Sequence, residues 1–147
     1  MEYQVQIQML VARPLAVVRL RASQAQLSAV IPQACGEVWN FVRAAQIKTA
    51  GRHVAIYYDS EINIECGVEV DEPFTSDGRV IASATPAGRV ATVAHFGPYQ
   101  LLSAAHQAVT QACRLQGHAL AGPSWEIYGH WTDDPTQVRT DVFYLLK

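Results

Sequence analysis

Charge is sparse in this chain. Only 16% of its 147 residues are Asp, Glu, Lys or Arg, and the formal net charge is −2. Such a balance offers no basic footprint for a phosphate backbone, so direct nucleic-acid binding is not expected. Long apolar runs are missing too. None approaches the roughly 20 residues a helix needs to cross a bilayer, which argues against a membrane role. The opening Met1–Gln6 has neither a basic stretch nor an apolar core of the secretory kind, so a cytoplasmic location is expected. Cys35, Cys66 and Cys113 are few, odd in number and far apart. They fit reduced, buried thiols better than a disulfide frame. The five histidines (His53, His95, His106, His118 and His130) show no metal-ligand spacing, and no cysteine stands near enough to complete a site. Neither a metal nor a cofactor is therefore expected. Gly78-Arg79 and Gly97-Pro98 lack the glycine-rich pattern of a phosphate loop. The absence of a G-x-S-x-G elbow removes support for serine hydrolase chemistry.

What is present is apolar patterning. Half the residues are hydrophobic, and a chain of this length forms one domain burying about 68–70% of its unfolded surface. Gln4–Gln8 alternates polar with apolar, and Leu15–Leu20 resumes an extended run after Pro14, which marks a bend or an edge. Ser23-Gln24-Ala25-Gln26 fits a capping box. Beyond it Leu27, Val30, Ile31, Ala34, Val38, Phe41, Val42 and Ala45 recur at helical spacing, with Pro32 predicting a kink or two abutting helices. Two alternating strands follow, Val54–Asp59 and Ile62–Asp71, joined as a hairpin by a short polar link. Glu72–Gly78 is turn-rich and divides the chain into 1–77 and 78–147.

The second part repeats this order. Arg79–Ala84 and Arg89–Phe96 read as extended, and Gly97-Pro98-Tyr99 opens a helix carrying Leu101, Leu102, Ala105, Val109, Ala112 and Leu115, stopped at Gly117. Ser124–Trp131 and Arg139–Leu146 read as strands. Ile56-Tyr57 and Ile127-Tyr128 stand 71 residues apart, as do Gly51 and Gly122. The repeat predicts an α+β fold of two βαββ modules related by a pseudo-twofold axis. Each antiparallel sheet would carry one helix, and the helix-free faces would meet in a ligand cleft at the junction.

Alternation along Trp125-Glu126-Ile127-Tyr128 puts Trp125 and Ile127 on one face and Glu126, Tyr128 and His130 on the other. On spacing alone an exposed surface glutamate is the commoner reading. Tyr57 shares the offset with Tyr128, and ordinary sheet packing would explain it nearly as well. The same parity argument places Phe143 and Gly67 on the cleft face, with Gly67 leaving room for a ligand. Trp39 lies on the flank of the first helix, where core packing is the plainer role. Tyr99 reads as the anchor of its turn.

Gly97-Pro98-Tyr99, Trp125-Glu126-Ile127-Tyr128, Cys66-Gly67-Val68-Glu69-Val70 and the ending Arg139–Leu146 together resemble the GyrI-like effector-binding domain. The resemblance spans nearly the whole chain. It implies SHS2-like modules, a cleft for hydrophobic and often cationic small molecules, and multidrug binding. It also implies a buried glutamate at Glu126 surrounded by aromatics. In the family the last strand carries a tyrosine where this chain has Phe143. Some stand-alone relatives resemble hydrolases that open cyclopropane rings, which would make Glu126 and Tyr128 catalytic. The expectation is thus a small-molecule-binding protein with Glu126, Tyr128, Tyr57, Phe143, Gly67, Trp39 and His130 as its ligand-binding set. The alternatives are a ring-opening hydrolase and a ligand-sensing module acting on a separate regulator or enzyme.

Overall fold

In the computed structural model, which describes residues 3–49, 51–58, 63–76, 78–129 and 133–147, the chain is α+β. The first half supplies β1 (Gln6–Leu10), β2 (Pro14–Arg21), α1 (Leu27–Ala44), β3 (His53–Tyr57) and β4 (Asn63–Glu69). The second supplies β5 (Ile81–Ala84), β6 (Gly88–Phe96), α2 (Leu102–Gln116), β7 (Leu120–Tyr128) and β8 (Arg139–Leu146). All eight strands join one antiparallel sheet in the order β1-β6-β8-β7-β3-β4-β2-β5. That order reads the same from either end once each strand is exchanged for its counterpart in the other half. The outermost strands are traded: β1 pairs with β6, and β5 pairs with β2.

Local signals account for the elements. Pro14 is the first residue of β2, where its missing donor is tolerated. The backbone N–H of Ser23 donates to Gln26 Oε1 at 2.9 Å, one half of the expected capping box. Pro32 sits inside α1 without dividing it, so the predicted break does not occur. It lies one turn past the helix start, where a single intrahelical bond is lost. Gly117 ends α2 in the left-handed region at φ 77°, which glycine enters without penalty.

Both helices pack on one face of the sheet. Under α1, Ala16, Val18, Val38, Val42 and Val68 form a buried cluster; under α2, Ala91, Val93, Ala105, Val109 and Val142 form another. The 71-residue offset maps Ala34, Val38 and Val42 onto Ala105, Val109 and Cys113, all of them buried. The face without helices is also closed. Leu15, Val17, Val54, Ile56, Val90, Trp125, Ile127 and Phe143 form one cluster there, most of it fully buried. With no helix to cover this face, its burial comes from the sheet curling on itself, as strongly twisted sheets do. The expected meeting of helix-free faces therefore makes a core. The open cleft lies on the other side, between the helices.

Candidate functional site

β3 and β7 lie side by side at the centre of the sheet, with His53 opposite Tyr128, Ala55 opposite Glu126 and Tyr57 opposite Ser124. Alternation then presents His53, Ala55 and Tyr57, with Ser124, Glu126 and Tyr128, to the helix side. Above them α1 and α2 stand apart over the two strands. The gap is a cleft of about 840 Å³. From α1 it is lined by Leu27, Ile31, Cys35 and Trp39, four residues spaced one helical turn apart. Tyr99 and Leu102 wall the opposite side, and His53, Tyr57, Glu126 and Tyr128 form the floor.

Glu126 is the one acid in that lining, and it is 5% exposed. Its desolvation is offset by three donors. Tyr128 donates its hydroxyl to Oε1 at 2.6 Å, and Tyr57 donates to the same oxygen at 3.1 Å. Oε2 is held by His106 Nε2 at 2.6 Å. Behind it, His106 Nδ1 meets the Tyr144 hydroxyl at 2.7 Å. Burial first, then the Glu126 charge, pushes the Tyr57, Tyr128 and Tyr144 phenols above their ordinary range, so all three stay protonated donors at neutral pH. Burial also raises the Cys35 thiol to about 11 and Cys66 to about 12, and lowers the His53 imidazole. The chemistry on offer is a single buried negative charge inside an apolar and aromatic enclosure, with protonated phenols at its edge.

Four of the sequence-derived residues come together here: Glu126, Tyr128, Tyr57 and Trp39. Trp39 packs partly on the core under α1 and also faces the cleft, its ring 6.0 Å from that of His53. Phe143 does not join them. It pairs with Trp125 across β7 and β8 and stacks on that indole at 5.3 Å, on the helix-free face. Gly67 lies on the same far face, between Val54 and Val17. A Cβ there would come within 1.8 Å of the Ala16 carbonyl oxygen, so this glycine admits a neighbouring backbone and leaves no ligand space. His130 falls outside the described residues.

The residues nearest Phe143 and Gly67 that do face the site are Tyr144 and Cys66, each one position away. Sequence reasoning also passed over His106 and Tyr99. The signal for His106 was its place one turn after Leu102 and one before Val109, at the edge of the inward stripe of α2. Tyr99 is 47% exposed and meets Tyr128 edge-on at 5.8 Å, so it forms a wall of the cleft beyond anchoring its turn.

Comparison with known proteins agrees with the fold. The chain superposes on the C-terminal domain of EcmrR with a TM-score of 0.84 at 19% identity, covering 100% of this chain and 99% of that one. It superposes on SAV2435 bound to tetraphenylphosphonium with a TM-score of 0.69 at 13% identity, covering 100% and 94%. A hydrolase from Listeria innocua matches with a TM-score of 0.59 at 10% identity, covering 98% and 92%. These likenesses show the fold alone. No curated protein is significantly similar in sequence. Among the described residues no helix is long and apolar enough to cross a membrane. The GyrI-like small molecule binding domain matches residues 3–147, and the chain belongs to that family.

Proposed function

We propose that the protein captures hydrophobic cations in the cleft between α1 and α2, with Glu126 as charge partner and the aromatic walls as packing surface. The observation that carries this reading is the carboxylate itself, buried yet opening on a cleft with an otherwise mostly apolar and aromatic lining. A desolvated negative charge favours a positive guest that tolerates an apolar surrounding. The cleft falls within the roughly 300–1,000 Å³ of small-molecule sites. Faces of Trp39, Tyr57, Tyr99 and Tyr128 add cation–π contacts worth about 0.5–2 kcal/mol each. Tetraphenylphosphonium, bound in SAV2435, is a ligand of this class and supports the reading. The protein's further proposed role is to signal capture to a separate regulator or enzyme in the cytoplasm. The fold shared with the C-terminal domain of EcmrR, a protein seen in a DNA complex, supports a sensing role.

The test is a titration of tetraphenylphosphonium and of neutral triphenylphosphine oxide against the wild type and Glu126→Gln. Removing one charge of a buried pair costs about 3–5 kcal/mol, so the cation should weaken by that order and the neutral ligand far less. Equal loss for both would mean that Glu126 acts through shape or folding.

A second reading, ring-opening hydrolysis of strained electrophiles, is favoured by one contact. The protonated Tyr128 hydroxyl lies 2.6 Å from Glu126, which pairs a base with a proton donor for the leaving carbon or oxygen.

A further inference from the structure

The cleft is lined by Glu126 but not by His106, which holds the far carboxylate oxygen from α2. We infer that His106 sets the charge of the cleft: a proton on its imidazole neutralises Glu126 from behind and rejects lipophilic cations, so that binding a cation releases this proton. The inference rests on the capture reading above and adds its regulation.

The geometry allows both charge states without rearrangement. With a neutral ring, Nε2–H donates to Glu126 and Nδ1 accepts from the Tyr144 hydroxyl. With a protonated ring, both nitrogens donate, and the Tyr144 hydroxyl turns to accept, since a phenol can do either. The imidazole is 22% exposed against 7% for the Glu126 side chain, so its proton exchanges with solvent on the α2 side while the carboxylate stays enclosed. In the neutral state the site carries one negative charge and attracts a cation. In the protonated state a guest meets a compensated pair, and its positive charge lies near a second one.

The surrounding groups leave this role to His106. Tyr57 on β3, Tyr128 on β7, Tyr144 on β8 and Tyr99 before α2 are all raised by burial and stay neutral. Cys66 on β4 and Cys113 on α2 are raised for the same reason, and so is Cys35 on α1. His53 on β3 also lines the cleft, but burial lowers its titration. Imidazole is the side chain whose charge changes between about pH 5 and 8, and His106 is the imidazole bonded to the cleft carboxylate. The 71-residue offset places Cys35 at the equivalent point of α1. The switch therefore exists on one half only.

The experiment measures tetraphenylphosphonium affinity by calorimetry from pH 5 to pH 8, in buffers of different ionisation enthalpy so that released protons are counted. Wild-type affinity should be about tenfold weaker at the acid end, with about half a proton released per cation bound near the midpoint, as one linked imidazole requires. His106→Gln keeps an N–H for Glu126 but cannot be charged; its affinity should be flat with pH. His53→Gln should keep the wild-type slope, and triphenylphosphine oxide should show none. A flat wild-type profile, a slope that survives in His106→Gln, or one that vanishes in His53→Gln overturns the inference. If His106→Gln folds poorly, the NMR titration of the wild-type His106 ring decides. Its midpoint must move to lower pH when tetraphenylphosphonium is added, and an unmoved midpoint overturns the proposal. Failure to bind the cation at pH 8 would instead sink the capture reading beneath it.

Discussion

Ala55 and Glu126 face each other directly in the β3–β7 ladder, and each is the other's counterpart under the 71-residue offset. The offset carries His53–Tyr128 onto Tyr57–Ser124 and leaves the Ala55–Glu126 pair in place. This pair thus marks the pseudo-twofold axis, and the cleft sits over it. Ala55 is fully buried and contributes only a methyl group beside the carboxylate. Ala55→Glu would set two carboxylates opposite each other, about 4.5–5.5 Å apart at Cβ. One of them would then titrate above its ordinary range in the folded state. Urea unfolding should show a loss of about 2 kcal/mol or more at pH 8, shrinking towards pH 5 as one acid takes up a proton. A loss that does not depend on pH would mean that volume, not charge, sets the cost.

Gly67 provides a test of packing apart from the site. An added Cβ would meet the Ala16 backbone at 1.8 Å, and the carbonyl cannot yield without displacing β2. Gly67→Ala should cost about 3 kcal/mol or more, at the upper end for overpacking. Gly36, where nothing lies within 4 Å of an added Cβ, should accept alanine and gain about 0.5–1 kcal/mol from its helical position. Chemical denaturation of the two variants checks the contrast.

Tyr128→Phe separates capture from catalysis. Glu126 keeps its bonds from Tyr57 and His106 in this variant. Losing one hydrogen bond to a charged acceptor costs about 1.5–3 kcal/mol at most, partly offset because the freed carboxylate can turn to a cation. Affinity for tetraphenylphosphonium should therefore fall less than in Glu126→Gln. If cyclopropane substrates are opened, product analysis should show that Tyr128→Phe slows the reaction while Glu126→Gln abolishes it. Substrates that bind but stay intact over hours would leave capture as the function.

At alkaline pH the buried thiols set a direction. Burial raises Cys35 to about 11 and Cys66 to about 12 in the folded chain, above their ordinary 9.0. Tyr58, half-buried, rises from 10.0 to about 12 through desolvation and the Glu65 charge. Between the unfolded and folded values the unfolded chain binds fewer protons, so stability falls as pH rises. The contribution is whole below about pH 9 and is lost by about pH 12. Thermal midpoints under reducing conditions should drop steadily from pH 8 to pH 11. A Cys35→Ala, Cys66→Ala variant should show a shallower decline, and an unchanged slope would place the effect elsewhere.

The chain announces β7 clearly and β8 poorly, and the reason is physical. Trp125 and Ile127 alternate with Glu126 and Tyr128, so the polar face is legible. In β8, Val142, Phe143, Tyr144 and Leu145 present apolar groups to both faces, because both faces are covered. Alternation then carries no phase, and the phase is set by the pairing of Glu126 with Val142. The site face of β8 therefore carries Tyr144, and Phe143 lies against Trp125 on the other. In β4 the alternation is clear, but its polar face, with Glu65 and Gly67, lies on the helix-free side with Ile56 and Val54. The polar face of β7 lies under the helices, so Cys66 rather than Gly67 faces the site. The residue beside Phe143, Tyr144, places its hydroxyl on His106. The family resemblance, not the spacing, points to Glu126, while the 71-residue repeat is legible and pairs Tyr57 with Tyr128. It did not reveal the side of the sheet on which the cleft opens, since that depends on how the sheet curls. The bond from His106 to Glu126 joins a helix to a strand 20 residues away, and no local pattern encodes it.

The traded edge strands and the self-mapping β3–β7 register describe two half-chains wrapped about a shared line. Two identical copies of one half-chain, assembled the same way, would place matched residues on that line: two glutamates in mutual repulsion, or two alanines and no charge. A solitary carboxylate at the centre of symmetry is open only to halves that are covalently joined and free to diverge. The same holds for the helix residues above it, where one half carries a thiol and the other an imidazole. Fusion of the halves thus lets a symmetric scaffold hold an asymmetric guest, gripping it from one side and leaving the opposite wall to vary with the guest's shape.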